Sequence, residues 1–280
     1  MNIFHNTNYN NSIVVIPVYK RNLSKFERKS FVQCCSIFKN KRISIVTYKE
    51  CDCSVYFNIA KQYNTVIKRE NFDKYYFDDI EGYNQLMLSY QFYNRFRKYK
   101  YMLLYQLDAF VFRDELDYWC KMGYDYIGAP WFTEYSSYEI GADLWHVGNG
   151  GVSLRNISTM RRIFFDYLPL LSFSQVWNNM MNVPISARKV ISFILRCFGY
   201  RNTITYFKKM YDVNEDIFIS LCLEKIGVNI LIPHFNVAMH FAFEKSPSYL
   251  YTQTNNKLPF VCHAWHKYEY NTFWKKYIKF

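Results

Sequence analysis

Two rhythms of hydrophobic and polar positions alternate along the chain. Ser12 to Val18 (S-I-V-V-I-P-V) is a β-branched run ended by Pro17, the pattern of a strand buried on both faces. Ser24-Lys25-Phe26-Glu27 then forms a capping box, in which Ser and Glu side chains satisfy orphan amides at a helix start, and the helix continues to about Phe38. Arg42 to Tyr48 is a second strand and Thr65 to Lys68 a shorter third. From Gly82 to Lys98, Tyr83, Leu86, Met87, Tyr90, Tyr93 and Phe96 recur at helical spacing, with Arg95, Arg97 and Lys98 at the negative end of the helix dipole. Tyr101 to Phe112 is a long apolar strand. Strands and helices in this alternation predict an α/β layered fold with a mostly parallel central sheet flanked by helices.

The second half is less regular. Tyr124 to Ile127 is a short strand entering Gly128-Ala129-Pro130-Trp131, and a glycine cluster at 148–151 precedes the strand Val152 to Arg155. Helices follow from about Ser158 to Tyr167 and from Asn214, as N-cap, to Ile226, stopped by Gly227. Between them, Val183 to Tyr200 is basic and apolar: either an amphipathic surface helix or an ordinary buried helix with a few exposed cations. Repeats and linkers are lacking, so residues 1–280 read as one domain. A nucleotide-binding half covers about 12–130, an acceptor and catalytic half about 131–267, and a basic aromatic tail 268–280.

Composition narrows the class. Of 280 residues, half are hydrophobic and 21% aromatic, which excludes a disordered chain. No run approaches the ~18 apolar residues of a membrane span. Met1 to Asn6 lacks the basic start of a signal peptide, so a soluble, cytoplasmic chain is expected. Eight cysteines without a CxxC pair argue for reduced thiols rather than a structural zinc. Thirty-five Lys and Arg against 23 Asp and Glu leave a net charge of +12, which favours an anionic partner, although solubility alone also accounts for it. No nucleic-acid motif accompanies the charge, and nucleic acid is not expected as a partner.

Few residues stand out chemically. Asp108 interrupts the apolar run Y-Q-L-D-A-F. A buried carboxylate there must be paired, protonated or at a strand end facing positive charge, and strand carboxyl ends are where α/β sheets bind ligands. A divalent cation carrying a diphosphate suits that position; so does a buried arginine. Gly148-Asn149-Gly150-Gly151 permits positive φ and close backbone approach to a ligand, and equally suits a plain tight turn. In Glu215-Asp216, one acid is explained by the helix dipole and the other is free to face a cleft as a proton acceptor. His263 and His266 lie three apart without a metal-binding pattern around them.

In order, Y-Q-L-D-A-F, Y-D-Y-I-G-A-P-W (124–131), G-N-G-G-V-S-L-R (148–155), Glu215-Asp216 and P-F-V-C-H-A-W (259–265) resemble an uncharacterised-domain family of GT-A-like glycosyltransferases from bacterial surface-polysaccharide and capsule gene clusters. The resemblance runs from about Ser12 to Trp265. It implies a nucleotide-sugar donor, its diphosphate bridged by Mn²⁺ or Mg²⁺ to a D-x-D motif. Here that triplet is Gln106-Leu107-Asp108, with Gln106 replacing the first Asp. Asp108 and His263 would be the metal ligands, and Pro17, Val18 and Tyr19 would border the base. Gly148, Asn149, Gly150 and Gly151 would lie against the donor sugar. Asp216 would be the base of an inverting transfer, with Glu215 orienting a glycan or lipid-diphosphate-linked acceptor. The basic stretches 183–210 and 267–280 would then hold the enzyme peripherally on an anionic inner membrane face. A catalytically inactive carbohydrate- or lipid-binding module is the alternative, for which the missing first Asp argues. A nucleotidyltransferase would need a glycine-rich loop after the first strand, where Pro17-Val18-Tyr19-Lys20-Arg21-Asn22 has none.

Overall fold

A computed structural model describes residues 11–133, 143–181 and 186–280. The N-terminal residues 1–6 and the start of the 183–200 segment, 183–185, lie outside the described residues. Six strands form the central sheet: β1 Ser12–Pro17, β2 Ile43–Thr47, β3 Ile67–Asn71, β4 Tyr101–Tyr105, β6 Tyr126–Ile127 and β9 Val152–Asn156, in the order β3-β2-β1-β4-β9-β6. The pairs β1–β2, β2–β3 and β1–β4 are parallel, and only β9 runs against its neighbours β4 and β6. This is the expected α/β arrangement. Both faces of the sheet are covered. Val14, Ile16, Leu103 and Tyr105 pack into one core, and Ile13, Val15, Met102 and Leu104 into the other. Double-sided burial is why these strands read as unbroken apolar runs.

Smaller sheets complete the fold. β5 Phe110–Val111, β10 Ala242–Phe243 and β11 Val261–Cys262 form one, in the order β10-β11-β5. β7 Ala129–Phe132 and β8 Leu144–Gly148 pair antiparallel as the other. The capping box forms as expected: the Glu27 amide donates to Ser24 Oγ and the Ser24 amide to Glu27 Oε2, opening the helix Lys25–Ile37. No described helix is long and apolar enough to cross a membrane.

Several elements differ from the sequence expectation. The run 82–98 is two helices, Ile80–Met87 and Tyr90–Arg95, because Ser89 starts the second by accepting the Phe92 amide on its hydroxyl. The strand 101–112 is broken at Gln106–Ala109, where the Ala109 amide donates to the Gln106 carbonyl. The third strand lies slightly later than expected, at Ile67–Asn71. Helix 214–226 starts at Glu215, passes through a π-helical turn, Phe218–Cys222, and ends at Gly227 in the left-handed conformation. Asn214 precedes it but makes no side-chain cap.

Residues 268–280 are no loose tail. Phe273, Trp274 and Ile278 are buried in a third core with Phe110, Phe243 and Trp265, and Trp274 stacks on Phe112 at 5.7 Å between ring centroids. Replacing Trp274 by Ala should lower the unfolding free energy by about 3–5 kcal/mol, the usual cost of deleting a buried indole. A change within about 0.5 kcal/mol in urea titrations, as for a surface residue, would show instead that this segment packs on nothing.

Candidate functional site

At the carboxyl edge of the parallel strands, the turn after β4 and the loop before β9 meet, because β9 runs the opposite way and Tyr105 pairs with Val152. The Gln106 amide donates to the Gly151 carbonyl at 2.8 Å. The β4 turn is pinned from behind as the Ala109 carbonyl accepts from the Tyr105 and Ser30 hydroxyls. Asp108 thus sits at a strand end rather than within a strand, and positive charge faces it. Lys267 Nζ lies 3.1 Å from Oδ2, and His263 Nε2 lies 3.0 Å from Oδ1. Burial works against the Asp108 charge, but His263 and Lys267 hold the carboxyl well below the usual carboxylate range.

His263 joins two carboxylates. Its Nδ1 is 2.9 Å from Glu244 Oε1, while Nε2 is close to Asp108 without the alignment of a hydrogen bond. Burial opposes a charged ring, yet Asp108 and Glu244 together raise its pKa to about 10. This geometry bears on the expected cation. A ring with one nitrogen anchored by a carboxylate and the other orphaned beside a second carboxylate suits a metal ligand with its supporting residue. Among the described residues no three His, Cys, Asp or Glu side chains converge as a metal cage. Asp108 and His263 are therefore a donor set of one oxygen and one nitrogen, which would need substrate phosphates to complete the coordination of a divalent ion.

The glycine loop is shaped by its neighbours. Positive φ occurs at Asn149 (87°) rather than at its glycines, and Asn149 Oδ1 accepts the Gly151 amide at 2.8 Å. The glycines instead permit close approach. A Cβ at Gly150 would enter the Glu215 carboxylate, and one at Gly151 the His263 imidazole. Gly148 lies flat against the Trp131 ring, and Tyr126 OH donates to the Asn149 carbonyl at 2.9 Å. The motifs at 124–131 and 148–155 are thus two halves of one packed unit.

Glu215 and Asp216 part company. Glu215 is 2% exposed and pairs at 3.0 Å with Arg155, itself 0% exposed. Arg155 also donates to the Tyr93 hydroxyl and Ser153 Oγ. Burial opposes the Arg155 charge, but Glu215 outweighs it. At Glu215, burial and the Asp216 charge outweigh Arg155, one oxygen (Oε2) has no partner, and the pKa rises to about 7. Asp216 turns the other way. Its Oδ2 accepts the Gly150 amide at 3.1 Å and its Oδ1 the Ile217 amide at 2.9 Å, and burial raises its pKa.

Two cavities flank this junction. The larger, about 620 Å³, is lined among others by Pro17, Tyr19, Tyr83, Gln106, Asp108 and Lys267. Its size is that of a small-molecule site. The smaller, about 180 Å³, is walled by Trp131, Asp216, Glu244 and Lys245 among others. Asp108 opens on the first and Glu244 on the second, with His263 bridging them. Of the residues singled out in the sequence, Pro17, Tyr19, Gln106, Asp108 and His266 line the larger cavity and Asp216 the smaller. Val18 points into the core, and Glu215 lines neither cavity. Glu244 and Lys267 were not singled out; the only sequence signal is an acid ending the apolar run F-A-F-E and a lysine after H-A-W-H.

A family model described as "Protein of unknown function (DUF5672)" matches residues 66–263. No curated protein matches the chain by sequence. Among solved structures, the apo form of the glycosyltransferase GlyE of Streptococcus pneumoniae TIGR4 is similar over 90% of this chain and 54% of its own, at 10% identity and a TM-score of 0.46. The chain thus spans about half the length of GlyE. The galactosyltransferase LgtC, in complex with donor and acceptor sugar analogs, is similar over 90% of this chain and 86% of its own, at 13% identity and a TM-score of 0.48. A glycosyltransferase involved in glycosylation of the major capsid of PBCV-1 is similar over 90% and 91% of the two chains, at 11% identity and a TM-score of 0.38.

The Glu215 pair has a pH signature. Folded, Glu215 keeps its proton up to about pH 7, against its ordinary value of 4.5 when unfolded. The stability tied to this proton is full below 4.5 and is lost as pH rises through 7. Urea midpoints of the wild type should therefore fall relative to those of Glu215→Gln across that window. Parallel curves for the two proteins would contradict the raised pKa.

Proposed function

The chain belongs to the DUF5672 family, and we propose that it is a GT-A-like glycosyltransferase moving a sugar from a nucleotide-sugar donor to a hydroxyl of a glycan or lipid-diphosphate-linked acceptor. The observation that carries this reading is the meeting of the Asp108 turn, the glycine loop and Asp216 around the His263–Glu244 pair, between two cavities. On this reading the nucleoside diphosphate occupies the larger cavity, its base against Tyr19 and its phosphates beside Lys267. The acceptor enters the smaller one, over the Trp131 ring.

Chemistry follows from the placement. Asp216 faces the acceptor cavity with a carboxylate whose raised pKa makes it a better proton acceptor than a free aspartate. It takes the acceptor proton as the oxygen attacks the anomeric carbon, the bond to the nucleoside diphosphate breaks, and attack from the opposite side inverts the configuration. Lys267 offsets the charge that grows on the departing diphosphate, and so does His263 while its ring is protonated. A divalent ion, Mn²⁺ or Mg²⁺, held by Asp108 and His263 would take the place of that ring proton and supply the neutralisation when bound. Glu215 acts at a distance, fixing the start of its helix through Arg155 so that Asp216 meets Gly150. The surface-polysaccharide setting rests on the sequence resemblance alone. Because Gln106 replaces an acid and both Asp108 oxygens already face cations, the reading as an inactive binding module keeps a specific observation in its favour.

Calorimetry with a panel of nucleotide sugars, with and without Mn²⁺, tests the donor half. Binding should occur and weaken at least tenfold in Asp108→Ala, which removes a charged partner of the phosphate-binding corner. Asp216→Asn should keep donor binding yet lose about 10²–10⁴-fold in sugar transfer or donor hydrolysis. Neither donor binding nor donor hydrolysis in the wild type would remove the transferase reading and leave the binding module.

A further inference from the structure

The helix Ala187–Cys197 buries none of its residues. Phe193 turns inward against Phe173 and Trp177, at ring-centroid distances of 4.9 and 5.3 Å. On the opposite side, Ile191, Ile194, Leu195 and, one residue past the helix, Phe198 are all exposed, Phe198 to 86%. Their spacing of three, four and seven residues makes one apolar stripe, the kind that normally faces a core. Here it faces outward.

Charge around the stripe is segregated. Arg188, Lys189 and Arg196 lie on this helix and Arg201 just past it, and the sequence from Tyr167 to Tyr211 holds no Asp or Glu. Lys208 and Lys209, on the next helix, line a separate cavity with Asp166 and Asp212. An occupant of this face must cover apolar side chains and bring negative charge. A second copy of the chain would bring the same cations against each other, and a nucleic acid would leave the stripe uncovered. An anionic bilayer supplies both the apolar depth and the charge.

We propose that the outer face of helix Ala187–Cys197, continued by Phe198 and Arg201, docks peripherally on an anionic lipid bilayer. This surface is separate from the two cavities, and the inference stands whether or not the transferase reading does. The other basic stretch, at the C-terminus, buries Phe273, Trp274 and Ile278 in the core instead.

The test is co-sedimentation of the full chain with phosphatidylcholine vesicles, with and without phosphatidylglycerol. The wild type should bind the doped vesicles and not the neutral ones, and added salt should release it. Each cation removed in Arg188→Gln, Arg196→Gln and Arg201→Gln should weaken partitioning by roughly fivefold. Ile194→Ser with Phe198→Ser should abolish it with the charge intact. All these side chains lie outside the main cores, and circular dichroism reports whether the variants fold. Equal partitioning to both vesicle types, or partitioning that neither set of variants changes, would overturn the proposal. So would a wild-type dimer that the Ile194 and Phe198 changes split, since the face would then belong to a second copy.

Discussion

Much of the site's geometry depends on one buried arginine–glutamate pair. Placing the Arg155 charge out of water is costly, and removing Glu215 would strand it at a cost of about 3–5 kcal/mol, whereas Glu215 without Arg155 can take up a proton. The arginine is tolerated because it meets an acceptor at three nitrogens: Glu215, the Tyr93 hydroxyl and Ser153. Its effect is positional. Arg155 is on β9, Glu215 opens a helix sixty residues later, and the pair ties the two together. With Glu215 fixed, the next residue has one direction left, toward the Gly150 amide and the cavity beyond it. The glycine at 150 follows from the same constraint, since any larger residue would displace the glutamate.

Topology does the remaining work. In a purely parallel sheet, the segment entering a strand and the segment leaving its neighbour lie at opposite edges. Reversing β9 brings the entry to β9 and the exit from β4 to one edge, so the glycine loop and Asp108 become neighbours through a backbone hydrogen bond. The small sheet β10-β11-β5 adds the third part. β11 leads directly into His263 and β10 into Glu244, so their parallel pairing sets both side chains at the same end.

The sequence made part of this legible, for physical reasons. Strands buried on both faces announce themselves, and the capping box at Ser24 fixed a helix start before any packing was known. The α/β class followed from those signals. Chain breaks were harder: the apolar pattern continues across Ser89 and across Gln106–Ala109, and neither break contains glycine or proline. The C-terminal segment read as a tail because its lysines outnumber its acids, while Phe273, Trp274 and Ile278 were hidden among them. At the site, Asp108, His263 and Asp216 were found through chemistry and resemblance. Glu244 and Lys267 were not, because their meaning lies in partners 19 and 159 residues away. Nor did spacing reveal that the acidic pair splits, one member to the core and one to a cavity.

The eight free cysteines have a practical consequence. Seven are buried, and burial pushes Cys35 and Cys120 up to about 12, far from the thiolate form that reacts. Cys197 alone is partly open to solvent, at the end of the helix with the outward apolar stripe. The unaltered polypeptide therefore carries one natural attachment point for a maleimide fluorophore. A dye placed there would sit beside Phe198 and sense the polarity of whatever comes to rest on that side of the molecule.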